Sequence, residues 1–234
     1  KLYLKNLLSL NTGYIKGTYD SMILEILNSF SNTLFYLFSG ILMSFLISCT
    51  LVLLNKLNYI KKNILIFIFN ISFIHISILL IIIENIFIYF FNSDINSSSY
   101  FLKLILSSII VSFGSGILID YFSLLNDDFN TIMKKDYVVF AKDSGFNEYK
   151  FASREIFFNL ITITISRIPI IFGGLVIIEH YLKDSGMSGI SSFLLESLNI
   201  GDTYSIFTSV IICIFFFTFL HILSKTIQSE LIKN

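Results

Sequence analysis

The chain is a succession of long, uninterrupted apolar runs separated by shorter polar stretches. The apolar runs fall at about 29–55, 63–92, 101–125, 158–178 and 204–227. About 20 consecutive apolar residues cross a hydrocarbon core as a helix, so each run is read as one span. From Phe30 to Leu54 there is no Asp, Glu, Lys, Arg or His. The runs do not alternate in the way the roughly ten-residue strands of a membrane barrel do. A helix satisfies its own backbone within the bilayer, so the pattern predicts an all-α, polytopic transmembrane helical bundle. Residues 1–27 mix Lys, Asp and Glu with Leu and Tyr and form a separate N-terminal segment. The two main polar excursions are 126–158 and 179–203.

Composition agrees with the pattern. Of 234 residues, 55% are hydrophobic and 14% charged, with a mean hydropathy of +0.80. Soluble domains carry about 25% charged residues. Lys+Arg and Asp+Glu number 16 each, and no basic tract interleaves with aromatics, which removes nucleic-acid binding. Cys49 and Cys213 sit inside apolar runs without metal or redox spacing, and are read as buried apolar residues.

Charge sets orientation. Lys56, Lys61, Lys62, Lys134, Lys135, Lys142, Lys150, Arg154, Lys225 and Lys233 fall on one set of loops. Lys1, Lys5, Lys16 and Lys183 fall on the other. Basic residues collect on cytoplasmic loops, so the central excursion and the C-terminus are expected in the cytoplasm. The 1–27 segment is then extracytoplasmic, and a further helix is expected before it.

The central excursion is the most distinctive stretch. From Asp136 to Asn159 it reads DYVVFAKDSGFNEYKFASREIFFN. Phe140, Phe146, Tyr149, Phe151 and Phe157 recur among Lys142, Asp143, Glu148, Lys150 and Arg154. Gly145 interrupts the helical pattern, giving a bend or room for a close partner. On these residues alone, an amphipathic segment lying on the membrane and a docking segment for a soluble partner both stand.

Ionisable residues inside spans are functional candidates. Arg167 either lines a pathway and attracts a solute carboxylate, or pairs with His75 or a carbonyl in a neighbouring helix, or snorkels to the interface. His75 is either a packed polar residue or part of that pathway. Glu84 and Asp120 lie near span ends and are placed at the interface. Gly173-Gly174 and Gly114-x-Gly116 are close-packing sites or flexible points. Glu179 and Asp202 either pin the external loop or are solvated. No P-loop, HExxH or GxSxG motif occurs, and no residues stand at metal-ligand spacing. A membrane-embedded enzyme using His75 and Glu84, and a non-catalytic scaffold subunit, remain the alternatives to a transport role.

Asp136-Tyr137-Val138, Ala141, Gly145, Arg154 and Asn159 resemble the cytoplasmic loop signature of binding-protein-dependent ABC importer permeases. Within that group they are similar to the B-type subunit of the dipeptide/oligopeptide/nickel class, which reads D-Y-V-x-x-A-x-x-x-G before an arginine and an asparagine. Gly173-Gly174 with Glu179 resembles that family's glycine-rich span ending in glutamate. Gly186 resembles the glycine of its next external turn, and Asp202 the aspartate before its last span. The family's arginines ahead of the loop have no counterpart in Tyr121 to Asn130, and Pro169 comes later than its usual proline.

The resemblance implies a type I-like permease in a bacterial cytoplasmic (inner) membrane, importing peptides or nickel and other metal complexes. It implies a coupling helix, about Ala141 to Tyr149, docked in a groove of a cytoplasmic ATPase. Phe140, Phe146 and Tyr149 would be its apolar anchors, and Lys142, Glu148 and Lys150 its rim charges. The implied partners are a homologous second permease, two ATPase subunits and an extracytoplasmic substrate-binding protein. ATP and magnesium would be bound by the ATPases, with no cofactor in this chain.

Overall fold

The structure is a computed structural model describing residues 22–60, 62–72, 74–91, 94–95, 98–182 and 189–233. Every element longer than a single turn is helical. The helices are α1 Met22–Lys56, α2 Lys62–Ile71, α3 Ile76–Phe91, α4 Tyr100–Gly114 and α5 Ile117–Ile132. There follow α6 Asp136–Asp143, α7 Glu148–Tyr181, α8 Ile190–Ile200 and α9 Thr203–Lys233. α1, α7 and α9 are each long and apolar enough to cross a membrane alone. Taking each bent pair as one span, α2 with α3 and α4 with α5, raises the number to five.

The expected second and third spans are therefore not continuous. α2 and α3 are bent by 108°, and α4 and α5 by 65°. Gly116 turns the second bend with φ of 73°, a left-handed conformation that favours glycine. At the first bend, α3 begins with Ile76, whose side chain enters a space left by two glycines. A Cβ on Gly174 would lie 2.0 Å from Ile76 Cδ1, and one on Gly114 would lie 2.9 Å from Ile76 Cα. Gly114 and Gly174 are thus close-packing positions, whereas Gly173 has open space beside it.

α1 runs through the middle of the bundle against α4, α5 and α7. Gly40 brings it within reach of Val111 on α4, where a Cβ would come 2.4 Å from Val111 Cγ1. Small hydroxyls stitch the same interfaces. Ser108 donates to Ser39 at 2.9 Å and Ser48 to the Leu118 carbonyl at 2.9 Å. Between helices in lipid, such contacts and close packing replace the hydrophobic drive. The outward surface is apolar, with Phe215 71% and Phe219 61% exposed on α9. In water that surface would be a liability; in a bilayer it is the solvated face.

α7 is longer than the apolar run it contains. Its 34 residues make a rod of about 51 Å at 1.5 Å per residue. The ten residues before Phe158 extend it beyond the expected span and join it to the central excursion. Of the 1–27 segment, residues 1–21 lie outside the described residues, and 22–27 open α1.

Candidate functional site

The Asp136–Asn159 stretch forms a helix, a tight turn and the start of a second helix. α6 begins at Asp136, whose charge suits the positive end of the helix dipole. It ends in a Schellman turn: the Phe146 N–H donates to Ala141 O at 2.8 Å and the Gly145 N–H to Lys142 O at 3.0 Å. Gly145 sits at φ 77°, the left-handed position this motif requires. Asn147 then caps α7, its Oδ1 accepting the Tyr149 N–H at 3.0 Å.

The expected single helix from Ala141 to Tyr149 is therefore replaced by the end of α6, the glycine turn and the first residues of α7. Its cause is the Gly145-Phe146-Asn147 sequence, which ends one helix and caps the next. Ala141, expected at the docking surface, faces inward and is 3% exposed. It and Val138 are the buried residues of α6, and α6 packs against α7.

Two polar contacts fix α6 to α7. Glu155 accepts a hydrogen bond from Lys135 Nζ at 2.5 Å and another from the Tyr137 hydroxyl. Burial and the neighbouring Glu155 carboxylate hold the Tyr137 phenol above its ordinary pKa. Lys142 and Glu148 pair across the turn at 3.4 Å, so these two expected rim charges answer each other. Asp143 and Lys150 are also outward, and three aromatic side chains stand out among them. Phe140 is 71%, Phe146 65% and Tyr149 59% exposed. Beside them a cavity of about 670 Å³ is lined by Tyr137, Phe140, Phe146, Phe151, Arg154 and Phe158, among others. Arg154 stacks over the Phe158 ring at 5.9 Å.

The second polar feature lies within the apolar part of α7. Arg167 Nε donates to Asp120 Oδ2 of α5 at 2.5 Å. This corrects two expectations: Arg167 pairs with neither His75 nor a carbonyl, and Asp120 is bound to a helix neighbour. The π-turn Leu124–Asp128 follows Asp120 on the same helix. His75 is at the α2–α3 bend, exposed, with Nδ1 2.8 Å from Ser77 Oγ.

The third feature is at the far end of α7. Glu179, assigned from the sequence to the external loop, is instead in the last turns of α7 and fully buried. Thr33 Oγ1 donates to its Oε1 at 2.5 Å. Ser191 N–H donates to Oε2 at 3.0 Å, and the Ser191 hydroxyl donates to the same oxygen. A buried carboxylate is held only with such donors around it, and here they come from α1 and the N-terminus of α8. Asp202 caps α9, accepting from the Tyr204 and Ser205 N–H groups at 3.1 and 3.3 Å. Gly186 lies outside the described residues. Among the described residues, no group of three or more His, Cys, Asp or Glu side chains could hold a metal ion.

Sequence reasoning missed Asp120, Glu155, Thr33 and Ser191 as partners. Asp120 carried a usable signal: it is the one acidic residue of the 101–125 run, and Arg167 is the one charged residue of the 158–178 run. Compared with family models, curated proteins and solved structures, the chain matches none. Three to five apolar helices long enough to span a bilayer make it a membrane protein by length and composition.

Proposed function

We propose that the chain is a permease subunit of an ATP-driven importer, of the binding-protein-dependent ABC class, in a bacterial cytoplasmic membrane. One observation carries the reading. α6 and the first turns of α7 form a pair braced at both ends by ion pairs, with Phe140, Phe146 and Tyr149 left outward on it. Exposed aromatic anchors on a braced helical element suit helix-in-groove docking. The stretch is also the one whose residues resemble the family signature. In this reading two cytoplasmic ATPase subunits hold the α6–α7 elbows of this chain and of a homologous second permease. ATP and magnesium stay with the ATPases, and their closure rocks the spans between inward- and outward-open states. An extracytoplasmic binding protein delivers the solute, a peptide or a nickel or other metal complex.

The test is co-purification. The full chain, solubilised in mild detergent from the cell that makes it, should bring down ATPase subunits, and Phe140→Ser with Phe146→Ser should release them. Association unchanged in the double variant would rule out this docking surface. A chain recovered without any ATPase would point instead to a scaffold lying on the membrane.

A further inference from the structure

Arg167 stands about midway between Phe158 and Ile178 along α7, so about 15 Å of helix separates it from either end of the apolar run. Its pair with Asp120 is not sealed inside the bundle. The two side chains are 34% and 26% exposed. Charged groups at that depth are turned toward a bundle interior or a water-filled cavity, because acyl chains cannot solvate them.

The backbone around the pair is irregular on both sides. α5 passes into its π-turn four residues after Asp120. On α7, Pro169 has no N–H, which leaves the Ile165 carbonyl without its helical donor. Irregular backbone at membrane depth belongs where it is buried in protein or lines water. A shallow, open cavity of about 400 Å³ lies at the surface here, lined by Asp120, Ser123, Asp128, Ser166 and Arg167 with two isoleucines. Arg167 uses its Nε–H on Asp120. The guanidinium carries four further N–H donors, and no bond from them to a described residue is present.

We propose that this cavity is a water-filled solute subsite. Arg167 receives a carboxylate there through its terminal N–H groups, and Asp120 is the positioning residue that holds the guanidinium from its Nε side. The proposal rests on the permease reading and adds where in this chain the solute is met. Asp120 also neutralises Arg167, so the carboxylate is held weakly. A passage needs that balance, since a solute bound too well is not released. Asp128 leaves the lining with one net negative charge, which disfavours a simple anion. A zwitterionic solute, whose cationic group answers Asp128, fits both ends.

Cysteine labelling in the membranes of the expressing cell tests this without knowing the solute. The full chain carries Cys49→Ala and Cys213→Ala, with Ser166→Cys as the reporter. The probe is 2-sulfonatoethyl methanethiosulfonate, a membrane-impermeant anion whose sulfonate stands in for the carboxylate. Ser166→Cys should label, about tenfold more slowly with Arg167→Gln and faster with Asp128→Asn, as expected for charge steering. Arg167→Lys should restore part of the rate, which separates lost charge from lost fold. Phe219→Cys, on the apolar outer face, should stay unlabelled. An unreactive Ser166→Cys, or a rate indifferent to Arg167→Gln, overturns the subsite. Labelling as expected in a chain that never binds an ATPase would keep the subsite and remove the importer reading.

Discussion

The Glu179 carboxyl group occupies the space that a side chain on Gly189 would need. A Cβ built on Gly189 lies 2.1 Å from both Glu179 Cδ and Oε1. Gly189 is the residue before α8, and Glu179 accepts from Ser191 in the first turn of that helix. A buried anion thus sits at a helix N-terminus, where the dipole and free N–H groups favour it. Gly189→Ala should therefore expel the carboxylate and lower the thermal midpoint in detergent. Glu179→Ala leaves the Ser191 N–H and hydroxyl without their acceptor, while Thr33 keeps the Ser29 carbonyl. At about 1–3 kcal/mol per donor, a loss of about 2 kcal/mol or more is expected. Glu179→Gln keeps an acceptor and should cost less. Equal losses for Ala and Gln would mean the carboxylate does not organise this end.

Ile76 gives a paired prediction. Gly174→Ala would strike the Cδ1 tip of Ile76, whereas Gly114→Ala would strike its Cγ1, Cα and backbone N, all of which valine keeps. Ile76→Val removes the tip at about 0.5–1.5 kcal/mol. It should rescue the folded yield of Gly174→Ala and leave Gly114→Ala unimproved. Rescue of both would show that the α2–α3 bend slides freely over α4.

Gly145 should tolerate Asn far better than Val. An L residue in the left-handed region costs about 1–2 kcal/mol, and Asn visits it most readily. Hydrogen exchange at the Phe146 amide, which closes the Schellman turn on Ala141, should accelerate in Gly145→Val. The apolar spans should be unchanged. An amide equally protected in both variants would remove the turn's dependence on glycine.

The Lys135–Glu155–Tyr137 contacts predict a small effect with a defined pH sign. The pair is partly exposed, and such bridges are worth about 0–1 kcal/mol, so Glu155→Gln should loosen α6 without unfolding the bundle. Limited trypsin cleavage at Lys142 should rise. The Tyr137 phenol is raised on folding. Its contribution is full below the ordinary tyrosine pKa of about 10 and is lost as pH rises through the higher folded value. Below pH 9, the ratio of trypsin sensitivity between Tyr137→Phe and the unchanged chain should stay constant with pH. A change near neutral pH would contradict this.

The all-helical architecture was legible in the sequence because unbroken apolar runs allow little else in a bilayer. The breaks inside two of those runs were not. The α2–α3 bend depends on Ile76 finding Gly114 and Gly174, which lie far apart in the chain. Gly116 was visible, but a glycine in an apolar run reads equally as a close-packing site, and its left-handed φ of 73° showed only in the structure. In the central stretch Gly145 announced a bend, while the inward turn of Ala141 came from its packing against α7. Arg167 was legible as an oddity, and its partner required knowing which helices touch. For Glu179 the sequence left pinning and solvation open. The structure keeps the pinning, with Ser191 and Thr33 donating to it, and places the residue in the last turns of α7, buried, where sequence put it in the loop.

The length of α7 has a mechanical consequence. One unbroken helix carries Glu155 near one end, Arg167 in the middle and Glu179 near the other. Those residues are tied in turn to α6, α5, and α1 with α8. A helix transmits axial displacement with little loss, so it works as a connecting rod: a shift imposed at the α6 elbow arrives at the Thr33–Glu179–Ser191 joint almost undiminished. Pro169 and Gly173 are compliant points on that rod, and both lie between the central joint and the far one.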